Sequence, residues 1–354
     1  MIAGRIARRL LDAPRTRPEE VALQPELDAL GGEVVRFRSR DGLRLSARWL
    51  EAASGDAASG DAASGDAASG DPAWTPDPRE AIVLLHGWSG SVAPDLVEYG
   101  PSLRRTAGVL GLDLRGHGAS DPSATTFGLR EVDDVGGALA WLGERGIRRV
   151  ALVGTSMGGV VAIAATVVLG DGRLRSVDVE PDAARITSPA PRPAIVGIVA
   201  EAVPAELPTV VASRLPGPGP IRRWLARRAF AIAAERLGGD PRDTEPIRVV
   251  GLLEDLPLLL IHGAADATVP PADGRRIAAA AGPGAEAWTV AGADHSLARR
   301  VGPEAWDRRV GSFLRGAFEA GREREVALGI LGSPAANVSG ASDRPLPEEA
   351  DQQA

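Results

Sequence analysis

The chain has 354 residues, of which 44% are hydrophobic, and a mean hydropathy of −0.03, values typical of a globular protein with a sizeable core. Its formal net charge of −7 excludes a global attraction to nucleic acid or to an anionic membrane surface. All 40 basic residues are arginine, and there is no cysteine, which excludes disulfides, thiolate zinc sites and a cysteine nucleophile.

Residues 1–31 are predicted to form a segment that precedes the main domain. The first eleven residues carry several arginines but have no long apolar core and no small-residue cleavage site, so the sequence predicts a cytoplasmic protein. An amphipathic helix with Ile2, Ile6 and Leu10 on one side would either pack on the protein or contact a surface. No stretch contains the ~20 consecutive apolar residues that a spanning helix requires, so stable membrane insertion is not expected.

Strand and helix patterns alternate along residues 32–321, which are predicted to form one domain. The first two strands are joined as a hairpin at Arg40-Asp41-Gly42, and the others are separated by helices or long connections. This order predicts an α/β fold, a mostly parallel eight-stranded sheet with helices on both faces. The predicted strands are 32–38, 43–50, 81–85, 108–113, 149–153, 194–200, 257–261 and 285–290, and the main helices are 95–106, 129–144, 159–169 and one that begins at Pro303 and is capped at Gly321.

Four segments are predicted to lie outside the regular pattern. Residues 52–71 are four copies of Ala-Ala-Ser-Gly-Asp and are interpreted as a low-complexity loop, and residues 171–193 as an inserted loop. Residues 205–248 are predicted to form a small helical cap, and residues 322–354 a disordered tail.

The predicted cap contains a helix that begins near Pro220. Its apolar residues at helical spacing would either cover an acyl group or pack on the core. Its arginines are typical of a solvated face, although they could also receive an anionic substrate. The apolar residues are Ile221, Trp224, Leu225 and Ile232.

Ser156 lies in Gly154-Thr155-Ser156-Met157-Gly158, between a predicted strand and a predicted helix. A serine hydroxyl becomes nucleophilic when a base takes its proton, and a tight strand-to-helix turn lifts its oxygen clear of the sheet. Glycines two residues before and after Ser156 would allow the strand and the helix to approach closely. The alternative is a glycine-rich helix start that happens to contain a serine.

Three more chemically capable loops follow predicted strands. His86-Gly87-Trp88 follows strand 81–85, Asp266 follows strand 257–261, and His295 follows strand 285–290. Ligands of open α/β sheets bind beyond the carboxyl ends of the strands, so we expect these groups to lie near Ser156.

These motifs, together with Asp113-Leu114-Arg115-Gly116-His117-Gly118-Ala119-Ser120, resemble the α/β-hydrolase superfamily over residues 32–321. Similarity is greatest to serine esterases, lysophospholipase-like proteins and aminopeptidase-like members with a modest cap. The resemblance implies Ser156 as nucleophile, His295 as general base and Asp266 as the residue that orients the imidazole. It also implies an oxyanion hole formed by the backbone N–H groups of Trp88 and Met157, and no metal or organic cofactor.

Other residues compete for the base and acid roles. His86, His117 and His262 are interpreted as residues that organise their loops, whereas His295 alone follows the last strand. Glu201, at the end of strand 194–200, is an alternative acid. Three further aspartates near Asp266 are typical of turns or helix starts, namely Asp255, Asp273 and Asp294.

The sequence therefore predicts a serine hydrolase that cleaves a carboxylic ester through an acyl-enzyme, with a small-molecule ester or acyl substrate. Amide or peptide hydrolysis and acyl transfer use the same three groups and stay open. A non-catalytic ligand-binding protein of the same fold is the third alternative. No nucleic-acid partner is expected, and the sequence makes no prediction about oligomeric state.

Overall fold

The computed structural model describes residues 2–12, 20, 22–53, 74–170 and 192–328. Most of the predicted loop 52–71, nearly all of the predicted loop 171–193 and residues 329–354 of the predicted tail lie outside these residues. Within the described ranges, no helix is both long and apolar enough to span a bilayer.

A single sheet of eight strands organises the described residues. The strands are β1 (Glu33–Arg38), β2 (Arg44–Leu50), β3 (Glu80–Leu85), β4 (Gly108–Asp113), β5 (Arg149–Thr155), β6 (Ala194–Glu201), β7 (Leu258–Gly263) and β8 (Ala285–Val290). Their order is β1-β2-β4-β3-β5-β6-β7-β8, with β2 antiparallel to both β1 and β4 and every other neighbouring pair parallel. This arrangement confirms the predicted α/β fold and its mostly parallel eight-stranded sheet.

Helices cover both faces of the sheet. The helices in the described residues are α1 (Ile2–Leu11), α2 (Gln24–Leu30), α3 (Ala93–Leu103), α4 (Glu131–Glu144), α5 (Met157–Leu169), α6 (Leu207–Arg214), α7 (Gly219–Leu237), α8 (Pro246–Val249), α9 (Ala272–Ala281), α10 (Ala298–Val301) and α11 (Pro303–Ala327). One apolar core lies between the sheet and α4, α5 and α9, and a second lies between the sheet and α3 and α11.

The central strands β3, β5 and β7 are buried along their whole length, as expected for strands covered by helices on both faces. These strands show no alternation of apolar and polar residues, because neither face of the sheet is exposed to water at these strands. The edge strand β8 is partly exposed. The loops that follow β3, β5 and β7 therefore emerge from fully buried strands, whereas the loop of His295 follows the partly exposed β8.

Helix α11 runs beyond Gly321, so the predicted cap at this glycine is wrong. Gly321 is instead a position of close packing, because a Cβ there would lie 2.5 Å from a methyl carbon of Val196. The last turns of α11 are held by ion pairs of Glu325 with Arg149 and of Arg322 with Glu80. These tertiary contacts extend the helix past the point that the glycine suggested.

A group of helices covers the carboxyl end of the sheet within the predicted cap region. It consists of α6, α7, a 3-10 turn at Pro241–Thr244 and α8. The prediction that Ile221 and Trp224 face the acyl group or the core is wrong, because their side chains are 54% and 64% exposed. The buried residues of α7 are Ala226, Ala229, Phe230, Ala233 and Leu237.

Helix α1 explains this orientation of α7. The two helices pack through Ala7 and Leu11 of α1 against Ala229, Ala233 and Leu237 of α7. Alanine side chains allow two helices to approach closely, so the side of α7 that contains its alanines, with Phe230 and Leu237, faces inward. Ile221 and Trp224 lie on the other side. Helix α1 itself buries Ala3, Ala7 and Leu11 and leaves Ile2 exposed.

Candidate active site

Ser156 occupies a strained turn between β5 and α5. Its backbone angles are φ 50° and ψ −111°, a region that residues with a side chain rarely adopt. A Cβ at Gly158 would lie 2.0 Å from the carbonyl oxygen of Leu85, and one at Gly154 would lie 2.4 Å from the carbonyl carbon of Gly158. Both glycines are therefore required by the close approach of α5 to β3 and β5, as the sequence predicts.

His295 lies in the loop after β8, and its ring contacts both Ser156 and Asp266. The Nε2 atom is 3.0 Å from the hydroxyl oxygen of Ser156, and the Nδ1 atom is 2.9 Å from Oδ2 of Asp266. With Nδ1–H donating to the carboxylate, Nε2 is the ring nitrogen that accepts from the hydroxyl. Three side chains that are far apart in the sequence thus form one continuous chain of hydrogen bonds.

Asp266 is held by donors on both of its carboxylate oxygens. Oδ1 accepts the backbone N–H groups of Thr268 and Val269, each at 2.8 Å. Oδ2 faces His295 and also lies 3.3 Å from Nε2 of His262. Burial raises the pKa of Asp266, but the hydrogen bonds from His262, His295 and Val269 outweigh it and hold the pKa well below its usual range. Asp266 is therefore a carboxylate at neutral pH.

Glu201, the alternative acid, does not hydrogen-bond the imidazole. Its carboxylate accepts the backbone N–H of Ala298 at 2.9 Å and the indole N–H of Trp306 at 3.2 Å. Burial raises its pKa, and these two donors offset part of that effect. Glu201 thus ties the chain that follows the His295 loop to the end of β6.

The other aspartates have structural contacts of their own. Asp273 accepts the N–H of Ala205 and pairs with Arg276, and Asp294 accepts the N–H of Ala267. Asp255 is exposed. Of the candidate acids, Asp266 is the one whose carboxylate contacts the imidazole of His295, whereas Asp294 accepts only the backbone N–H of that residue.

Trp88 and Met157 both line the cavity that contains Ser156. Met157 is the first residue of α5, where backbone N–H groups are not used by the helix. The backbone of the His86-Gly87-Trp88 loop passes close to the serine, because a Cβ at Gly87 would lie 3.6 Å from Cβ of Ser156. This geometry brings together the two residues from which the sequence predicts an oxyanion hole.

Buried polar side chains hold this loop in place. His86 Nε2 accepts the N–H of Leu114, and His117 Nε2 accepts the N–H of Ser89. Asp113 accepts the N–H groups of Val92 and Ala119. His262 instead contacts the loop that carries Asp266, with its Nε2 atom 3.1 Å from the carbonyl oxygen of Val269. These contacts agree with the loop-organising interpretation of His86, His117 and His262.

The cavity above Ser156 has a volume of about 590 Å³ and is lined mainly by apolar side chains. Helix α1 supplies part of its wall through Ile6, Arg9 and Leu10, a role that the sequence does not predict. The carbonyls of the last turn of α1 accept the indole N–H of Trp88 and the backbone N–H of Thr125. The remaining apolar lining includes Phe127, Val160, Leu207, Val211, Leu215 and Phe230.

Comparison with known proteins identifies the family of this chain. A sequence profile of the alpha/beta hydrolase family matches residues 82–308. The chain belongs to the alpha/beta hydrolase family. This membership supports the hydrolase class that the sequence predicts. No curated protein matches the sequence of this alpha/beta hydrolase.

Solved structures are similar to this alpha/beta hydrolase in fold. An esterase from Pyrococcus furiosus has a TM-score of 0.58 and 22% identity, covering 86% of this chain and 97% of its own. An alpha-beta hydrolase from Vibrio vulnificus has a TM-score of 0.58 and 16% identity, covering 88% of this chain and 93% of its own. A hydrolase from Pseudomonas aeruginosa has a TM-score of 0.51 and 22% identity, covering 80% and 99%.

Replacing Gly158 by alanine tests the close approach at the elbow of this alpha/beta hydrolase. We expect Gly158→Ala to lower the free energy of unfolding by about 1–3 kcal/mol or more, because the new methyl group must displace the backbone of Leu85. The control is Gly316→Ala in α11, where nothing lies within 4 Å and alanine should add about 0.5–1 kcal/mol. Urea denaturation measures both, and equal stability of the two variants would contradict the packing argument.

Proposed function

We propose that this alpha/beta hydrolase is a serine hydrolase that cleaves carboxylic esters through an acyl-enzyme on Ser156. The observation that carries the proposal is the hydrogen-bond chain from Ser156 through His295 to Asp266, with distances of 3.0 and 2.9 Å. A hydroxyl, a neutral imidazole and a carboxylate in this order form the arrangement that activates a serine nucleophile.

In the first half-reaction, the hydroxyl oxygen of Ser156 attacks the ester carbonyl carbon and its proton passes to Nε2 of His295. The carboxylate of Asp266 stabilises the positive imidazolium and keeps the ring oriented. The negative charge on the former carbonyl oxygen is received by the backbone N–H groups of Met157 and Trp88. When the carbon–oxygen bond to the alcohol breaks, His295 returns the proton to the leaving alkoxide.

In the second half-reaction, water attacks the acyl group on Ser156 and gives its proton to His295. The bond from the acyl carbon to the serine oxygen then breaks, and His295 reprotonates Ser156. The products are a carboxylic acid and an alcohol, and the side chains return to their starting state.

The cavity supports an apolar acyl substrate of moderate size. Its volume of about 590 Å³ falls within the range of small-molecule sites, and most of its lining side chains are apolar. An ester is also in keeping with the esterase from Pyrococcus furiosus, whose fold this chain resembles. Small-molecule esters are therefore the proposed substrates. The cytoplasmic location stays a prediction from the sequence.

Labelling with a fluorescent fluorophosphonate tests Ser156 as the nucleophile. We expect the wild-type protein to be labelled and Ser156→Ala to remain unlabelled, because phosphonylation requires an activated hydroxyl. Ser89→Ala, which removes another serine from the same cavity lining, should label like the wild type. In-gel fluorescence measures labelling and circular dichroism verifies folding. An unlabelled but folded wild type, or equal labelling of Ser156→Ala, would refute the proposal.

Two carboxylate substitutions test which acid orients His295. Asp266→Asn should lower kcat for p-nitrophenyl butyrate by about 10³–10⁴-fold, because the imidazolium loses its charged partner. Glu201→Gln should lower kcat far less, because Glu201 contacts Ala298 and Trp306 and makes no hydrogen bond to His295. Steady-state kinetics on folded protein measures both variants, and a comparable loss in Glu201→Gln would contradict the assignment of Asp266.

A substitution in α1 tests whether this helix limits the length of the acyl group. Leu10→Trp should reduce kcat/KM for long-chain relative to short-chain p-nitrophenyl esters by about tenfold, because the larger ring fills part of the cavity. Ile2→Trp is the matched control, since Ile2 lies on the same helix but is 64% exposed. A panel of esters of increasing chain length gives the ratio, and identical profiles for the two variants would argue against a cavity wall at Leu10.

A further inference from the structure

The outward side of α7 carries apolar side chains where a helix of this kind usually exposes polar ones. Ile221 and Trp224 are 54% and 64% exposed, and Leu225 and Ile232 on the same side are half-buried. The opposite side of α7 packs on α1 and the core through Ala226, Ala229, Phe230, Ala233 and Leu237. Helix α7 is therefore apolar on both sides, and exposed apolar patches mark binding surfaces.

Arginines surround these apolar side chains. Arg223, Arg227 and Arg228 of α7 are exposed, and we call them, together with Ile221, Trp224, Leu225 and Ile232, the lid face. Residues 207–234 contain no aspartate or glutamate, although the chain as a whole has a net charge of −7. The lid face is thus a basic surface on an acidic protein.

Helix α1 extends this basic surface. It contains Arg5, Arg8 and Arg9, all exposed, and no acidic residue. Among the described residues, none of these three arginines and none of the three in the lid face forms an ion pair with another side chain. Arg9 also lines the cavity above Ser156, so the basic surface reaches the edge of that cavity.

We propose that the lid face, together with the adjoining arginines of α1, docks on the surface of an anionic lipid bilayer. Tryptophan and isoleucine enter the boundary between headgroups and acyl chains, while arginines are attracted to anionic headgroups. Arginine side chains also reach toward the headgroups while their apolar stems cover hydrocarbon. Peripheral docking of this kind needs no spanning helix and depends on local charge, so the negative net charge of the chain does not oppose it.

A second copy of the chain fits this surface less well. An isologous contact through the lid face would bring two sets of arginines together, with Glu235 near the end of α7 as the one carboxylate of that helix. A nucleic acid would satisfy the arginines but not the exposed side chain of Ile221. The bilayer satisfies both the charged and the apolar side chains.

Sedimentation with large unilamellar vesicles tests the proposal on the full chain. We expect the protein to bind vesicles of phosphatidylcholine and phosphatidylglycerol in a two-to-one mixture at least about tenfold more tightly than vesicles of phosphatidylcholine alone. Higher salt should weaken this binding, because it screens the attraction between arginine and phosphate.

Two sets of variants separate charge from apolar insertion. Arg223→Gln/Arg227→Gln/Arg228→Gln should weaken binding at least about tenfold, since each arginine near an anionic surface contributes about a fivefold factor. Ile221→Ser/Trp224→Ser should weaken it at least about fivefold on anionic vesicles. The matched controls are Arg36→Gln/Arg105→Gln/Arg148→Gln and Val34→Ser/Leu252→Ser, which remove exposed arginines and exposed apolar residues elsewhere and should leave binding unchanged.

The test is independent of the chemistry at Ser156. All lid-face variants should hydrolyse a short soluble ester like the wild type, and vesicle binding is measured without any substrate. Failure of the wild type to bind anionic vesicles, or equal losses in the control variants, would overturn the proposal. If the wild type does not bind vesicles and Ile221→Ser/Trp224→Ser changes the oligomeric state, the lid face is a contact between copies. If the wild type binds duplex DNA tightly and does not bind vesicles, the lid face is a nucleic-acid surface. Either result overturns the proposal.

Discussion

The position of Ser156 depends on the close approach of α5 to the end of β3, an approach that only glycine permits at position 158. Strand β5 lies between β3 and β6 in the middle of the sheet, and the backbone N–H of Ser156 donates to the carbonyl of Glu201 at 2.8 Å. The strained turn is therefore held on one side by helix packing and on the other by the neighbouring strand. Such support from both sides is what allows an unfavourable backbone conformation to persist.

The imidazole has to reach Ser156 across several strands. His295 follows β8, which is separated from β5 by β6 and β7, and neighbouring strands lie about 4.8 Å apart. The loops after β7 and β8 are bonded to each other, through Ala264 to Val290 and Ala265 to Ala293. Glu201 binds the chain after His295 from the end of β6. The imidazole of His295 lies beside Ser156, and Glu201 holds the chain three residues later without a hydrogen bond to the ring.

The cap and the N-terminal helix form one unit over the cavity. Helix α1 lies outside residues 82–308, the part of the chain that the family profile matches, yet it supplies part of the cavity wall and packs on α7. The carbonyls of its last turn accept the indole N–H of Trp88 and the backbone N–H of Thr125. A movement of α1 would therefore displace the loop beside Ser156. Part of the cavity wall is thus built by a helix outside the part of the chain that the family profile matches.

Local patterns in the sequence determined the α/β class, the succession of strands along the chain and the loops that carry Ser156, Asp266 and His295. They could do so because buried parallel strands are continuous apolar runs and because the elbow requires glycines at set positions. The sequence could not determine which side of α7 faces inward, since that side is selected by the alanines that contact α1, a helix more than 200 residues earlier in the chain. Nor could it determine that α11 continues past Gly321, because Arg149 and Glu80 hold its last turns from distant strands. Tertiary structure decided the features that depend on a contact between two distant segments, because local periodicity contains no information about which distant segment a residue contacts.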